Sequence, residues 1–145
     1  MMAMEALHRH WLTADSIRHW AVQGSKATER LPRAPRDANE WTTFASQFLA
    51  VSAWYGLLYV VVEGYERLGV QDEAIDVLLA DEVRTSNLRQ FRDAVFQYQE
   101  DPLSDAMIDV ILDMAFDAWA NSLNRHFKAF LEQQLVLAAA AEFEK

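Results

Sequence analysis

The stretch LRQFRDAVFQYQ, residues 88 to 99, resembles an ordinary amphipathic helix but places three candidate catalytic side chains close together: Arg92, Asp93 and Gln97. Arg92 offers a planar guanidinium that can bind phosphate through two parallel hydrogen bonds. On a helix, Asp93 and Gln97 are four residues apart and share a polar face, with Arg92 one step around. The Gln97 amide can hydrogen-bond to phosphate or hold Asp93, but it cannot act as a general acid or base.

This segment resembles the signature of the HEPN superfamily, whose all-helical domains carry Arg, usually a polar residue, a few mostly apolar residues and then His. The run RDAVFQ matches at Arg92 and Asp93 and departs at Gln97, where the family has His. The order of elements is also similar, because a long helix with WYGLLYVVVEGYERLG precedes the motif and another long helix follows it. The resemblance covers most of the chain from residue 38 onward.

Active members of that family are metal-independent ribonucleases in which two subunits bring Arg and His together across a shared cleft. The His exchanges protons near neutrality while the Arg stays beside the phosphate. The resemblance therefore implies a bacterial or phage helical dimer with a degenerate ribonuclease site, because losing the general acid and base costs about 10²- to 10⁴-fold in rate. It also implies binding of RNA, a nucleotide or a protein partner in a toxin–antitoxin or defence setting.

Further side chains are candidates for binding roles at this site: Asn87, Arg89, Glu63 and His126. Glu63 follows three valines late in the long helix, where it can turn inward and meet Arg92, because a buried carboxylate needs a cationic partner. His126, in NRHFKAF, is the histidine that can approach the motif and replace the missing base, which would leave an active ribonuclease. A partly exposed histidine is its simpler interpretation.

A structural interpretation explains the same residues without any chemistry. Arg89 can pair with Asp93 four residues further along a solvated helix face, and Arg92 then serves only a salt bridge to Glu63. Under this alternative the chain is an acidic helical homodimer with a structural or protein-interaction role. A cleft at a two-fold axis lined by Arg92, Asp93 and Gln97 would favour the ribonuclease ancestry, whereas Arg92 held by Glu63 away from any cleft would favour the alternative.

The sequence lacks the motifs of most other catalytic and metal-binding sites. The chain has no cysteine, no Gly-rich phosphate loop, no nucleophile elbow and no His-x-x-x-His pair. One Glu-x-x-His pair, Glu5 with His8, is too few for a di-iron bundle, and His8 and His10 point about 200° apart on a helix. We therefore predict no metal site and no cofactor, and surface positions for the amino-terminal histidines.

Length and composition predict one domain with more apolar residues than a single core needs. The chain has 145 residues, of which 52% are hydrophobic and 12% aromatic, and this surplus favours a homodimer. The net charge of −9 divides into six basic and three acidic residues over 1–36, against seven and nineteen over 37–145. An acidic body repels phosphate backbones, so broad nucleic-acid binding is not expected and any RNA contact needs a local basic patch.

Apolar residues at helical spacing predict a first helix that ends at Gly24 and Ser25. The following stretch, SKATERLPRAPRDANE, contains two prolines and predicts a surface loop. This loop carries one basic patch, for which a solvated linker is the simpler interpretation: Lys26, Arg30, Arg33 and Arg36. A second basic patch surrounds the motif: Arg84, Arg89 and Arg92.

Helical spacing then continues unbroken from Ala38 to Leu68, with Asp37 or Asn39 as the cap and Gly69 as the stop. Its longest uncharged apolar run, FLAVSAWYGLLYVVV, is shorter than the roughly 18 residues of a membrane span. No signal peptide is recognised at the amino terminus. We therefore expect a buried helix in a soluble, cytoplasmic protein.

A short helix is predicted over DEAIDVLLA, followed by a motif helix that Thr85 or Ser86 caps and that runs through Tyr98. The apolar stripe of the motif helix is Leu88, Phe91, Val95 and Tyr98. Ser104 caps one last long helix, and the tail 138–145 is expected to fray.

These elements predict an all-α bundle of four to five helices in a single domain. Residues 1–36 form the first helix and the basic linker, residues 38–137 form the HEPN-like core, and residues 138–145 form the tail.

Overall fold

The computed structural model describes residues 2–28, 36–101 and 104–144, and these form six α-helices and no strand. The helices are α1 Met2–Thr28, α2 Ala38–Leu68, α3 Glu73–Leu79, α4 Glu82–Phe96, α5 Asp105–Leu112 and α6 Met114–Phe143. The all-α prediction is confirmed within these ranges. The number of helices differs from the predicted four to five, because the last long helix is divided into α5 and α6.

The first helix extends beyond its predicted end at Gly24 and Ser25 and continues to Thr28. A glycine ends a helix when its backbone turns left-handed. Among the described residues only Gly69 has a positive φ, so Gly24 does not end the helix. Lys26 of the first basic patch therefore lies on α1 and Arg36 is exposed before α2, whereas Arg30 and Arg33 lie outside the described residues.

The second helix has the predicted bounds, Ala38–Leu68. Asp37 caps it by accepting a hydrogen bond from the Glu40 backbone N–H at 2.8 Å, and Gly69, with φ 67°, donates to the Glu66 carbonyl. By length and composition α2 could cross a membrane. It also supplies much of the folded core, with buried residues Phe48, Ser52, Trp54, Tyr55, Gly56, Leu58, Val61, Val62 and Tyr65.

Helix α2 lies between α1 and α4, and α6 packs across it through aromatic side chains. Tyr55 contacts Phe91 of α4 and Phe116 of α6, with ring centroids 5.2 and 5.0 Å apart. Tyr65 makes edge contacts with Phe127 and Phe130 of α6 at 5.6 and 5.7 Å. Such edge-to-face pairs add about 0.5 to 1.5 kcal/mol each beyond the burial of their area.

The last part of the chain has a break that the apolar spacing did not predict. Ser104 caps α5 as expected, but Asp113 ends α5 and caps α6, accepting a hydrogen bond from the Ala115 N–H at 2.9 Å. A side chain that bonds a nearby backbone N–H competes with helix continuation. Helix α6 continues to Phe143 through a run of alanines, the strongest helix formers, and the fraying of residues 138–145 stays a prediction.

Tyr65 connects α2 to the start of α3. Its hydroxyl donates to an Asp76 carboxylate oxygen and accepts from the Asp72 backbone N–H, both at 2.7 Å. Burial, followed by the bond to Asp76, raises the pKa of Tyr65 to about 12. The phenol is thus held neutral by the fold.

We expect the protein to lose stability between about pH 10 and pH 12 because of this phenol. An unfolded tyrosine ionises near pH 10, so the unfolded chain releases its proton before the folded chain does. The contribution of Tyr65 is complete below about pH 10 and is lost as the pH rises through the folded value. Urea unfolding followed by circular dichroism at increasing pH measures this decline. The free energy of unfolding of Tyr65→Phe should fall less steeply with pH than that of the wild type. Equal slopes for the two proteins would contradict the raised pKa of Tyr65.

Candidate functional site

The motif residues lie where α4 packs closely against α2. Gly56 of α2 faces the Arg92 backbone, and a Cβ atom at this glycine would lie 3.1 Å from the Arg92 Cα. Tyr59 lies three residues after Gly56, and Glu63 lies four residues after Tyr59, so the three share one face of α2. This arrangement brings an aromatic ring and a carboxylate against the arginine.

Arg92 is held by three groups. Its Nε and Nη2 donate to one Asp93 carboxylate oxygen at 2.9 and 2.8 Å, and its Nη1 pairs with Glu63. The guanidinium carbon lies 5.0 Å from the centre of the Tyr59 ring. The contact between Glu63 and Arg92 that the sequence predicts is therefore present. We name Arg92, Asp93, Glu63 and Tyr59 the arginine cluster.

Two carboxylates neutralise the arginine within this cluster. The hydrogen bonds that Arg92 donates to Asp93, and secondarily the hydrogen bond to Glu63 and the charge of Glu63, raise the pKa of Arg92. Its side chain is 24% exposed, which leaves only an edge in contact with water. A phosphate at this position would have to displace a carboxylate from the guanidinium. The cluster therefore has the geometry of an interhelical salt bridge.

Gln97 does not share a helix face with Asp93, which corrects the prediction. Helix α4 ends at Phe96, and Gln97 has extended backbone angles of −125° and 146°. Its backbone N–H donates to the Asp93 carbonyl, and its exposed side chain makes no hydrogen bond to the arginine cluster. Tyr98, predicted to lie in the apolar stripe, is 92% exposed. Helical spacing of apolar residues does not reveal whether a core surface is available to them. Tyr98 has the expected spacing but does not pack on the core.

The start of α4 differs from the prediction as well. Asp81 caps the helix by accepting from the Arg84 N–H at 3.1 Å, one turn before the predicted Thr85 or Ser86. The Thr85 hydroxyl instead donates to the Asp81 carbonyl at 2.8 Å, inside the helix.

The other predicted residues of α4 form no hydrogen bond or ion pair with the arginine cluster in the described part of the chain. Arg89 is exposed and forms no ion pair with Asp93, because Asp93 is bound by Arg92 instead. Asn87 is half-buried. Arg84 pairs with Asp81 at 3.5 Å, so two of the three arginines in the second basic patch have carboxylate partners.

His126 is not brought to the motif. It lies on α6 beside α3, in a shallow depression of about 590 Å³ that it shares with Asp72, Glu73, Val77 and Leu78. No hydrogen bond or ion pair in the described part of the chain joins it to Arg92 or Asp93. The hypothesis that His126 replaces the missing base thus gains no geometric support.

A second cavity, which the sequence analysis did not identify, opens between the first half of α2 and the junction of α5 with α6. It measures about 660 Å³, and we name it the α2/α5/α6 groove. Its lining is Phe44, Gln47, Phe48, Val51, Tyr55, Ile111, Leu112, Met114, Asp117 and Ala118. Two apolar residues that flank Asp113 lie at this groove, and both are exposed: Leu112 to 65% and Met114 to 86%.

The polar groups of this groove are few. The buried Tyr55 hydroxyl donates to an Asp117 carboxylate oxygen at 3.1 Å, and burial together with that aspartate raises the pKa of Tyr55. The Gln47 amide donates to the Ala21 carbonyl of α1 at 2.7 Å. The groove therefore presents an apolar surface whose polar side chains already have partners, which suits an apolar ligand or side chain.

Over the residues that the structure describes, no group of three or more His, Asp or Glu side chains is arranged to hold a metal ion. His8 stacks on Trp11 with ring centroids 6.1 Å apart, and His19 lies 3.4 Å from Asp15.

Comparisons of the chain with protein-family models, with curated proteins and with solved structures each found no match. The HEPN resemblance therefore rests on the motif residues and the order of the helices, and it stays a prediction.

Glu63 and Arg92 should be energetically coupled. Glu63→Ala and Arg92→Ala are each expected to lower the free energy of unfolding by about 1 to 2 kcal/mol, because each leaves a half-buried charge without one partner. The double variant should lose about 1 kcal/mol less than the sum of the two. Urea unfolding measures all three values.

Arg89→Ala is the matched control, because it removes an exposed arginine from the same helix and should change stability by no more than about 0.5 kcal/mol. Additive losses for Glu63 and Arg92 would show that the salt bridge contributes nothing.

Proposed function

We propose that this chain is an acidic, helical protein-interaction module that binds a partner through the α2/α5/α6 groove. The observation that carries the proposal is the exposure of Leu112 and Met114 beside an apolar groove of about 660 Å³. Apolar side chains at the edge of such a groove gain burial when a partner covers them, at about 25 cal/mol for each Å² removed from water.

The arginine cluster supports this proposal over the ribonuclease hypothesis. Arg92 is already bound by Asp93 and Glu63, and Gln97 lies beyond the helix, so within one protomer the motif residues are not arranged around a free guanidinium. Neither cavity described above is lined by Arg92, Asp93 or Gln97. The geometry favours a structural role for Arg92, which is the alternative that the sequence leaves open. The homodimer and the cytoplasmic location remain predictions from composition.

The groove can be tested with uncharged substitutions at exposed positions. Leu112→Gln/Met114→Gln removes the apolar edge, and Val136→Gln/Leu137→Gln is the matched control on an exposed part of α6. Proteins from a cell extract that bind immobilised wild-type protein should also bind the control and should be lost from the groove variant. Equal retention by both variants would contradict the proposal.

RNA cleavage provides the second test. Purified protein incubated with labelled RNA in the presence of a chelator should leave the RNA intact. Cleavage that disappears in Arg92→Ala would restore the ribonuclease hypothesis, whereas cleavage that persists in this variant would indicate a contaminant.

A further inference from the structure

Helix α5, which lines one side of the α2/α5/α6 groove, carries exposed acidic side chains for which the described part of the chain provides no cationic partner. Residues 93–124 include seven acidic residues and no Arg, Lys or His. Asp105 and Asp109 are exposed on α5 at a spacing of four residues, and Asp109 lies three residues before Leu112, so these side chains share one face. We name Asp105 and Asp109 the aspartate strip.

The two carboxylates of the strip differ from the other acidic groups nearby. Asp113 caps α6, and Asp117 accepts from Tyr55 and Asn121, so both have structural roles. Within the described ranges, no basic side chain lies within 4 Å of Asp105 or Asp109. Like charges held one turn apart repel each other, and a cation placed over them would relieve that repulsion.

We propose that the α2/α5/α6 groove accepts a cationic amphipathic helix of a partner protein. Leu112 and Met114, with the apolar lining behind them, would receive side chains spaced at i, i+3, i+4 and i+7 on one face of that helix. Lys or Arg residues next to this face would lie over the aspartate strip. Complementary charge sets the orientation and speeds association, while burial of the apolar face supplies most of the affinity. This inference rests on the proposed function and names the class of partner.

The experiment uses three labelled synthetic helical peptides and the full-length protein. The first peptide has a leucine stripe flanked by lysines, the second has the same stripe flanked by glutamates, and the third has the first composition in scrambled order. Fluorescence anisotropy measures their binding at low and high salt. The lysine peptide should bind at least about 10-fold more tightly than the other two, and its affinity should fall as salt screens the aspartate strip.

Variants assign this binding to the groove. Asp105→Asn/Asp109→Asn should weaken the lysine peptide about 3- to 10-fold and reduce its dependence on salt. Glu132→Gln/Glu142→Gln removes the same net charge from exposed positions elsewhere and should leave binding within about 2-fold of wild type. Leu112→Gln/Met114→Gln should abolish binding, because it removes apolar contacts without changing the charge.

Several outcomes would overturn the inference. Equal binding of the lysine and glutamate peptides, or equal losses in the two charge variants, would show that the aspartate strip selects nothing. If the lysine peptide still binds Leu112→Gln/Met114→Gln, the peptide is attracted to the acidic surface and does not occupy the groove. A wild-type dimer that this variant dissociates, measured by sedimentation, would assign the groove to a second copy of the chain.

The two proposals fail in different ways. If no peptide binds, but extract proteins are still lost specifically from the groove variant, the interaction module stands and the cationic helix is wrong. If Leu112→Gln/Met114→Gln changes neither the binding of the lysine peptide nor the capture of extract proteins, both proposals are wrong.

Discussion

Gly56→Leu is expected to lower the free energy of unfolding by about 3 kcal/mol, as overpacked core sites do. A Cβ atom at this position would lie 3.1 Å from the Arg92 Cα and 3.3 Å from both the Arg92 N and the Phe91 carbonyl oxygen. These are backbone atoms, so no rotamer change relieves the contact and α2 must move away from α4. Urea unfolding monitored by circular dichroism measures the loss.

A pair of alanine variants tests the cause of this loss. Gly56→Ala and Gly64→Ala both lie in α2 and gain similar helix propensity, about 1 kcal/mol. At Gly64 the new Cβ would meet only the end of the Leu7 side chain, at 2.8 Å, and that methyl group can rotate away. We therefore expect Gly56→Ala to be the less stable of the two. The reverse order would mean that α2 and α4 are not in close contact, and the arginine cluster would lose its basis.

Asn124→Leu is expected to cost about 2 to 3 kcal/mol, because it removes the buried polar link between Trp11 of α1 and Asn124 of α6. The Trp11 indole N–H donates to the Asn124 side-chain oxygen at 3.0 Å, and the Asn124 amide donates to Asp15 at 3.1 Å. Trp11 is 4% exposed, so its donor would be left buried without a partner, which costs about 1 to 3 kcal/mol. Thermal and urea unfolding measure this loss.

The double variant Trp11→Phe/Asn124→Leu should recover part of that stability, because it removes both partners of the hydrogen bond. Trp54 offers a matched comparison: it is also buried, but its indole N–H has no hydrogen-bond partner among the described residues. Trp54→Phe should therefore cost less than Trp11→Phe. Equal costs would indicate that the hydrogen bond to Asn124 adds nothing to the loss of the larger ring.

Short-range patterns predicted most of the helices. The bounds of α2 follow from unbroken apolar spacing, from Asp37 before the helix and from Gly69 after it, and each acts within about one turn. Helix α5 likewise begins directly after a local capping residue, Ser104. Where a helix ended without a strong local signal, as α4 does at Phe96, the prediction was wrong by two residues. That end depends on whether the next apolar side chains find a surface to pack against.

For the candidate site, the sequence supplied the residue types and one correct contact. Glu63 and Arg92 were expected to meet because a carboxylate inside an apolar helix needs a cation, and this requirement holds for any arrangement of the helices. Tyr59 and Gly56 were missed, although their spacing before Glu63 marks one face of α2. Nothing in the linear pattern indicated which face of α2 would contact α4.

The sequence by itself determined that this protein is helical, acidic over most of its length and free of cysteine chemistry, because composition and local periodicity are properties of the chain alone. The tertiary structure decided that Arg92 is bound by two carboxylates, that Gln97 lies beyond α4 and that an apolar groove opens beside Leu112 and Met114. Those features depend on the approach of helices far apart in the sequence, which is set by the shapes of the side chains packed between them.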